Sequence, residues 1–165
     1  MIKQILISTI IILLLAWYLS FLAGRLDRLH HRVVTSWEHL DALLQRRAAI
    51  ALEISHSKSI DPATGILLTT AAYQARSANI IARSEAESAL SQALKFLGEV
   101  DGANIDKALS DELRKTTKKI SLAITIHLEA VNSARSLRSK TIFRIFRLAG
   151  HAPLPVRYSF EDDIL

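Results

Sequence analysis

Residues 5–24 read ILISTIIILLLAWYLSFLAG, and this stretch decides how the rest of the chain is organised. It is uncharged and strongly apolar, interrupted only by Ser8, Thr9 and Ser20. As a helix with a rise of 1.5 Å per residue, about 20 residues span about 30 Å, the hydrocarbon thickness of a bilayer. The stretch therefore predicts an N-terminal transmembrane helix over residues 1–24.

A cleaved signal peptide is the alternative interpretation of this stretch. Lys3 supplies the basic residue that such peptides need, but the apolar run is longer than their usual core of ~7–15 residues. The possible cleavage sites, at residues 21–23 and 22–24, both place a large side chain at the outer position. An uncleaved membrane helix is therefore expected.

Basic residues flank the apolar stretch unequally. Lys3 stands alone before it, whereas Arg25, Arg28 and Arg32 follow it. Short flanking segments rich in Lys and Arg tend to stay in the cytoplasm. The prediction is a single-pass protein of the cell membrane with a cytoplasmic body.

Residues 25–150 predict an all-α fold, an elongated antiparallel three-helix bundle. Apolar residues recur at steps of three and four up to about Ser57, which predicts a first helix continuous with the membrane helix. Asp61 and Pro62 have the chemistry of a helix start, since Asp accepts backbone N–H groups and Pro fits the first helical position. The second helix is predicted to run from there to Leu97.

Small residues dominate the apolar stripe of this second helix, and their mean spacing is close to the coiled-coil period. The stripe consists of Leu68, Ala71, Ala75, Ala78, Ala82, Ala86, Ala89, Ala93 and Phe96. Gly98 is predicted to end the helix, and Ser110 to cap a third helix that continues to Leu148. Gly150 ends that helix.

The C-terminal tail, residues 151–165, is predicted to be extended because Pro153 and Pro155 prevent helix formation. Leu154, Tyr158 and Phe160 give it an apolar side that is expected to dock on the bundle.

Residues suited to chemistry are few and scattered. The chain has no cysteine, and its five glycines form no phosphate-binding loop. His127 falls on the apolar stripe of the third helix and is interpreted as a core or boundary histidine. Glu85 and Glu87, near Arg83, are interpreted as part of a solvated face. No catalytic, cofactor-binding or metal site is predicted, and no cofactor.

Basic residues of the third helix form two clusters, for which a solvated face is the simplest interpretation. If the three helices alternate in direction, the third starts near the bilayer. One cluster is then a membrane-proximal patch, made of Arg114, Lys115, Lys118 and Lys119. The other is a distal face for a protein partner, made of Arg135, Arg138, Lys140, Arg144 and Arg147. Phe143 and Phe146 are too few aromatics for base stacking, so nucleic acid is not an expected partner.

Three segments of the chain resemble the LemA family of bacterial membrane proteins. They are the membrane exit from Arg25 into Trp37-Glu-His-Leu-Asp-Ala-Leu-Leu-Gln-Arg-Arg47, the late-helix segment Ile126-His-Leu-Glu-Ala-Val131, and the tail closing on Tyr158-Ser-Phe160. The resemblance implies a membrane-anchored helical bundle without established enzymatic activity. It implies no catalytic residue.

Two functions remain open on these grounds. The first is a non-enzymatic interaction or scaffold module at the bacterial cell membrane, whose partners are membrane lipids and either another protein or a second copy. No small-molecule substrate is expected. The second is an accessory single-span subunit of a membrane enzyme or transport complex. Ala16, Ser20 and Gly24 are four apart and share one helix face, a spacing that permits close packing between membrane helices.

Overall fold

The computed structural model describes residues 1–79, 82–99 and 105–139, apart from the side chain of Arg138. These residues form helices joined by short connections and contain no strand, so the all-α prediction is confirmed. The helices are α1 (Ile2–Ser55), α2 (Pro62–Ser77), α3 (Arg83–Glu99) and α4 (Lys107–Arg138).

Helix α1 joins the apolar stretch to the predicted first soluble helix without a break. The Ile and Leu side chains from Ile5 to Leu15 are 46–64% exposed, so residues in the described part of the chain form no core over this part of α1. The helix is long and apolar enough to cross a membrane. Its continuity past Gly24 confirms the predicted helix up to its end at Ser55.

The described residues divide into two compact units. The first unit contains residues 1–36 and 128–139, and the second contains the described residues between Trp37 and His127. Helices α1 and α4 contribute to both. The predicted division into segments 1–24, 25–150 and 151–165 stays a prediction, and its last segment lies outside the described residues.

The first unit pairs α1 with the last turns of α4. Leu22 and Leu137, which are 8% and 7% exposed, form its buried centre, with Leu26 and Leu29 packed beside them. A salt bridge at 3.6 Å joins Arg32 to Glu129. The contacts run in opposite order along the two helices, so the C-terminal end of α4 lies beside the end of the apolar stretch.

The second unit has two apolar clusters. In one, Leu40 and Leu44 of α1 pack against Ile120 and Ala123 of α4. The larger one draws on α1, α2 and α3, with residues of α4 at its edge. Its buried members are Ala48, Ile50, Ala51, Ile54, Ile60, Leu68, Ala71, Ala72, Ala75, Leu90, Ala93 and Leu97.

The prediction of one helix from Pro62 to Leu97 is wrong, because the chain leaves the helix after Ser77. Ala78 is extended, with φ −61° and ψ 130°. The Asn79 side-chain oxygen then accepts a hydrogen bond from the Ala82 N–H at 3.0 Å, just before α3 begins. Helices α2 and α3 pack against each other. The predicted three-helix arrangement is thus replaced by one with an additional helix.

This break moves the buried face of α3 by one residue. The alanine stripe predicted a buried face that includes Ala82, Ala86 and Phe96, yet Phe96 is 52% exposed. The buried residues are Arg83, Glu87, Leu90, Ala93 and Leu97, of which only Ala93 belongs to the predicted stripe. Successive residues of an α-helix are 100° apart around its axis. Moving the buried face by one position therefore places the charged Arg83 and Glu87 inside in place of Ala82 and Ala86.

Of three helix ends predicted from the sequence, one is observed as predicted and two are not. The Asp61 carboxylate accepts hydrogen bonds from Ala63 and Thr64 at 3.0 and 3.2 Å, which confirms the predicted cap. Gly98 does not end α3, which continues to Glu99. Ser110 does not begin α4: the Asp106 carboxylate accepts from the Ala108 N–H at 3.0 Å, and the helix starts at Lys107.

Candidate functional site

The first predicted basic cluster lies on an exposed face of α4 in the second unit. Arg114, Lys115, Lys118 and Lys119 all point away from the core. Arg114 pairs with Asp111 one turn earlier at 3.1 Å. Nearby, the Arg46 guanidinium of α1 pairs with the Glu112 carboxylate, which raises the pKa of Arg46. Asp111 therefore offsets part of the charge of the cluster, whereas Glu112 pairs with Arg46 outside it.

The second predicted cluster is described only in part. Arg135 is exposed in the first unit, two residues before Leu137. The side chain of Arg138 and the residues Lys140, Arg144 and Arg147 lie outside the described part of the chain. The assignment of the two clusters to membrane and partner stays a prediction. That assignment assumed that residues 62–97 form one helix. Since the chain forms two helices there, α2 and α3, the assumption no longer holds.

Buried charge in the second unit was not predicted. Arg47 of α1 and Glu87 of α3 have side chains only 2% and 0% exposed, and their charged groups are 2.5 Å apart. The same Arg47 nitrogen also donates to the Glu87 backbone oxygen at 3.4 Å. Glu85 is exposed, as predicted, but the interpretation of Glu87 as solvated is wrong.

A second ion pair lies one turn earlier on α3. Arg83 donates to an Asp41 carboxylate oxygen at 2.5 Å and to the backbone oxygen of Ala75 at 2.7 Å. Arg83 is buried, whereas the Asp41 side chain is 33% exposed. The two pairs together connect α3 to α1 and to the end of α2.

Burial dominates the electrostatics of these two ion pairs. Loss of water raises the pKa of Glu87, and the positive charges of Arg47 and Arg83 offset that rise only in part. The Glu87 oxygen Oε1 is buried without a hydrogen-bond partner among the described residues. A buried charge without its partner is costly, so we expect both ion pairs to form when α3 packs.

His127 is in the place that the sequence predicted, inside the core. It is 2% exposed, and its ring lies against the Trp37 ring with centroids 5.6 Å apart. Burial lowers the pKa of His127. The imidazole is therefore neutral at pH 7 and packs as an aromatic side chain.

An open apolar groove of about 710 Å³ runs between α2 and α3. Small side chains such as Ala71 and Ala93 form its floor, and the large side chains of Ile66, Leu67 and Phe96 are 69%, 50% and 52% exposed. Sequence reasoning missed the groove because it placed α2 and α3 in one helix. Phe96 was assigned to the core for the same reason.

Metal-binding clusters of three or more His, Asp or Glu residues do not occur in the described ranges. No family model, no curated protein and no solved structure matches this chain. The resemblance to the LemA family stays a prediction.

Proposed function

We propose that this chain is a single-span protein of the bacterial cell membrane that acts as a non-enzymatic interaction module. One observation carries the proposal. A single uninterrupted helix, α1, presents exposed Ile and Leu side chains from Ile5 to Leu15 and then supplies buried core residues such as Leu40 and Leu44. A partner bound by the second unit would be held at the membrane by this helix. The resemblance to the LemA family points to the same class of protein.

The groove between α2 and α3 is the partner surface of this proposal, and an amphipathic helix is its occupant. Two facing helices with a floor of small residues leave room for the ridge of a third helix. The rim residues Ile66, Leu67 and Phe96 are exposed and offer large apolar contacts to a partner. A helix with apolar residues at steps of three and four matches this chemistry.

Membrane anchoring is tested on the full chain in bacterial membranes. The protein should stay in the pellet after alkaline extraction and dissolve in detergent. A reporter that is active only outside the cytoplasm, fused after Leu165, should be silent, because Arg25, Arg28 and Arg32 favour a cytoplasmic body. An active reporter would reverse the proposed orientation while leaving the anchor in place.

The groove is tested by paired substitutions in the full chain. Ile66→Ser with Phe96→Ser removes two rim side chains. Leu122→Ser with Ile126→Ser is the matched control because these side chains are 62% and 42% exposed outside the groove. Cross-linking in native membranes, with a photoreactive group at Thr70, should yield a heterologous adduct that the rim variant loses and the control keeps. An adduct between two copies would instead assign the groove to self-association. Loss of the adduct in both variants would exclude the groove as its specific site.

The accessory-subunit function stays a second candidate because the small-residue face of α1 is open. A Cβ atom added at Gly24 would meet nothing within 4 Å among the described residues. Replacing Ala16, Ser20 and Gly24 by Leu should preserve insertion and abolish co-migration with a larger complex on native gels. Unchanged migration would exclude this candidate.

A further inference from the structure

The first unit brings the end of α4 to the end of the apolar stretch of α1. Leu137 packs on Leu22, which is two residues before Gly24, where the apolar stretch ends. If α1 crosses the membrane, the last turn of α4 therefore lies at the same level as the boundary between hydrocarbon and headgroups. This step rests on the proposed membrane anchor.

Arginines are concentrated in this part of the first unit. Residues 22–36 and 128–139 contain five arginines against Asp27 and Glu129, a net charge of +3. Arg25, Arg28 and Arg32 are three and four residues apart, so they follow one side of α1. The Nε atom of Arg28 donates to the Gly24 carbonyl at 3.3 Å, which directs this side chain back toward the apolar stretch.

From these contacts we propose that Arg25, Arg28 and Arg135 form a collar that binds the headgroups of anionic phospholipids. All three side chains are exposed. Arg32 is left out of the collar because it lies eight residues, more than two helical turns, beyond Gly24. Arginine is suited to the phosphate of a lipid headgroup because its planar guanidinium donates two parallel hydrogen bonds.

This assignment reverses the one that the sequence predicted for the two basic clusters. Lys115 lies twenty residues before Arg135 on α4, which is more than five helical turns. Its neighbours include Asp111 and Glu112, both already paired with arginines. The proposal therefore assigns the headgroups to the collar and not to the Arg114–Lys119 cluster.

The absence of cysteine allows a direct test with the full chain. A fluorophore is attached to Ser136→Cys in one sample and to Lys115→Cys in another, both at exposed positions of α4. Each protein is reconstituted in vesicles of phosphatidylcholine with phosphatidylglycerol that carry a nitroxide quencher on the headgroup. The fluorophore at position 136 should be quenched and the one at position 115 should not.

Each other outcome overturns a distinct statement. Failure of the protein to float with the vesicles would refute the membrane anchor itself. Flotation with quenching at position 115 alone would restore the sequence-based assignment and refute the collar. Flotation with equal quenching at both positions, or at neither, would also refute the collar as the headgroup-binding surface while leaving the anchor intact.

Charge is tested separately from position. Arg25→Gln, Arg28→Gln and Arg135→Gln are combined, and Arg114→Gln, Lys115→Gln and Lys118→Gln form the matched control with an equal loss of charge. Spin-labelled lipids then report the preference of the protein for phosphatidylglycerol over phosphatidylcholine. This preference should fall by up to about fivefold per collar arginine and stay unchanged in the control. An equal fall in both variants would show net charge, not the collar, to be responsible.

Discussion

Apolar side chains are usually buried and charged ones exposed, and two regions of α1 depart from this rule in opposite ways. From Ile5 to Leu15 the Ile and Leu side chains are 46–64% exposed. Around residue 47 a charged side chain is buried instead, since Arg47 is 1% exposed among Leu44, Ala48 and Ala51. Hydropathy along the sequence identifies the first region correctly and misjudges the second.

The two regions differ in what supplies the environment that their side chains need, an apolar surrounding for the first and a counter-charge for the second. For the apolar stretch the proposed function supplies it as lipid, which has to be added from outside the protein. For Arg47 it is Glu87, forty residues later in the chain, whose carboxylate compensates the buried charge. Hydropathy reports the first situation because every residue of the stretch shares it. It cannot report the second, which depends on one specific partner.

The largest expected effect concerns the apolar stretch. Replacing Ile12 and Leu13 by Arg adds roughly 5–7 kcal/mol to the cost of placing this helix in a bilayer. The variant should leave the membrane pellet after alkaline extraction. Leu122→Arg with Ile126→Arg, two side chains exposed on α4, should remain in the pellet. Retention of the Ile12/Leu13 variant would mean that lipid is not the environment of this stretch.

The buried ion pair gives the next largest effect. Arg47→Met leaves Glu87 buried without its main counter-charge, and we expect a loss of about 3–5 kcal/mol in the free energy of unfolding. Glu87→Met should lower the free energy of unfolding by a similar amount because it leaves Arg47 buried without its acidic partner. Urea unfolding of the full chain in nanodiscs, followed by circular dichroism, measures both.

The double variant Arg47→Met with Glu87→Met is the control for this prediction. Apolar side chains of similar volume replace both charges, so it should be more stable than either single variant. Additive losses would show that the two charges do not compensate each other.

Sequence patterns predicted the parts of this fold that depend on neighbours in the chain. Continuous α1 and the Asp61 cap are examples, since propensity and capping act within a few residues. The break between α2 and α3 was not predicted because residues 78 and 79 are Ala and Asn, not Gly or Pro, and the alanine stripe continues through them. Once the break was missed, the inner face of α3 was assigned one residue too early. The buried side of that helix, with Arg83 and Glu87, then looked like a solvated face.

The second ion pair refines the contrast between buried and exposed side chains. Arg83 is buried, but its partner Asp41 is 33% exposed and keeps access to water. Arg83→Met breaks the hydrogen bonds to Asp41 and to the Ala75 backbone oxygen but leaves no charge buried away from water. It should therefore cost less than Arg47→Met, about 1.5–3 kcal/mol. The same unfolding measurement compares the two. Equal losses would mean that exposure of the partner does not matter here.

The smallest expected effect belongs to His127, a polar side chain that is buried in neutral form beside Trp37. Burial holds its pKa below the ordinary value of 6.5, so the unfolded chain binds a proton more readily than the folded one as pH falls. Its contribution to stability is therefore complete above pH 6.5 and declines as pH falls below that value. One proton allows at most about 0.7 kcal/mol of loss between pH 7 and pH 6.

Measurement of this effect requires a reference variant that cannot titrate. His127→Phe keeps a flat ring beside Trp37 and removes the ionisable group. The difference in unfolding free energy between the natural chain and His127→Phe should be constant above pH 7. Below pH 6.5 it should change in favour of the variant, with the other histidines cancelling in the comparison. A difference that stays constant from pH 7.5 to pH 5.5 would show that His127 is not buried in neutral form, and that its ring keeps contact with water or with an acidic partner.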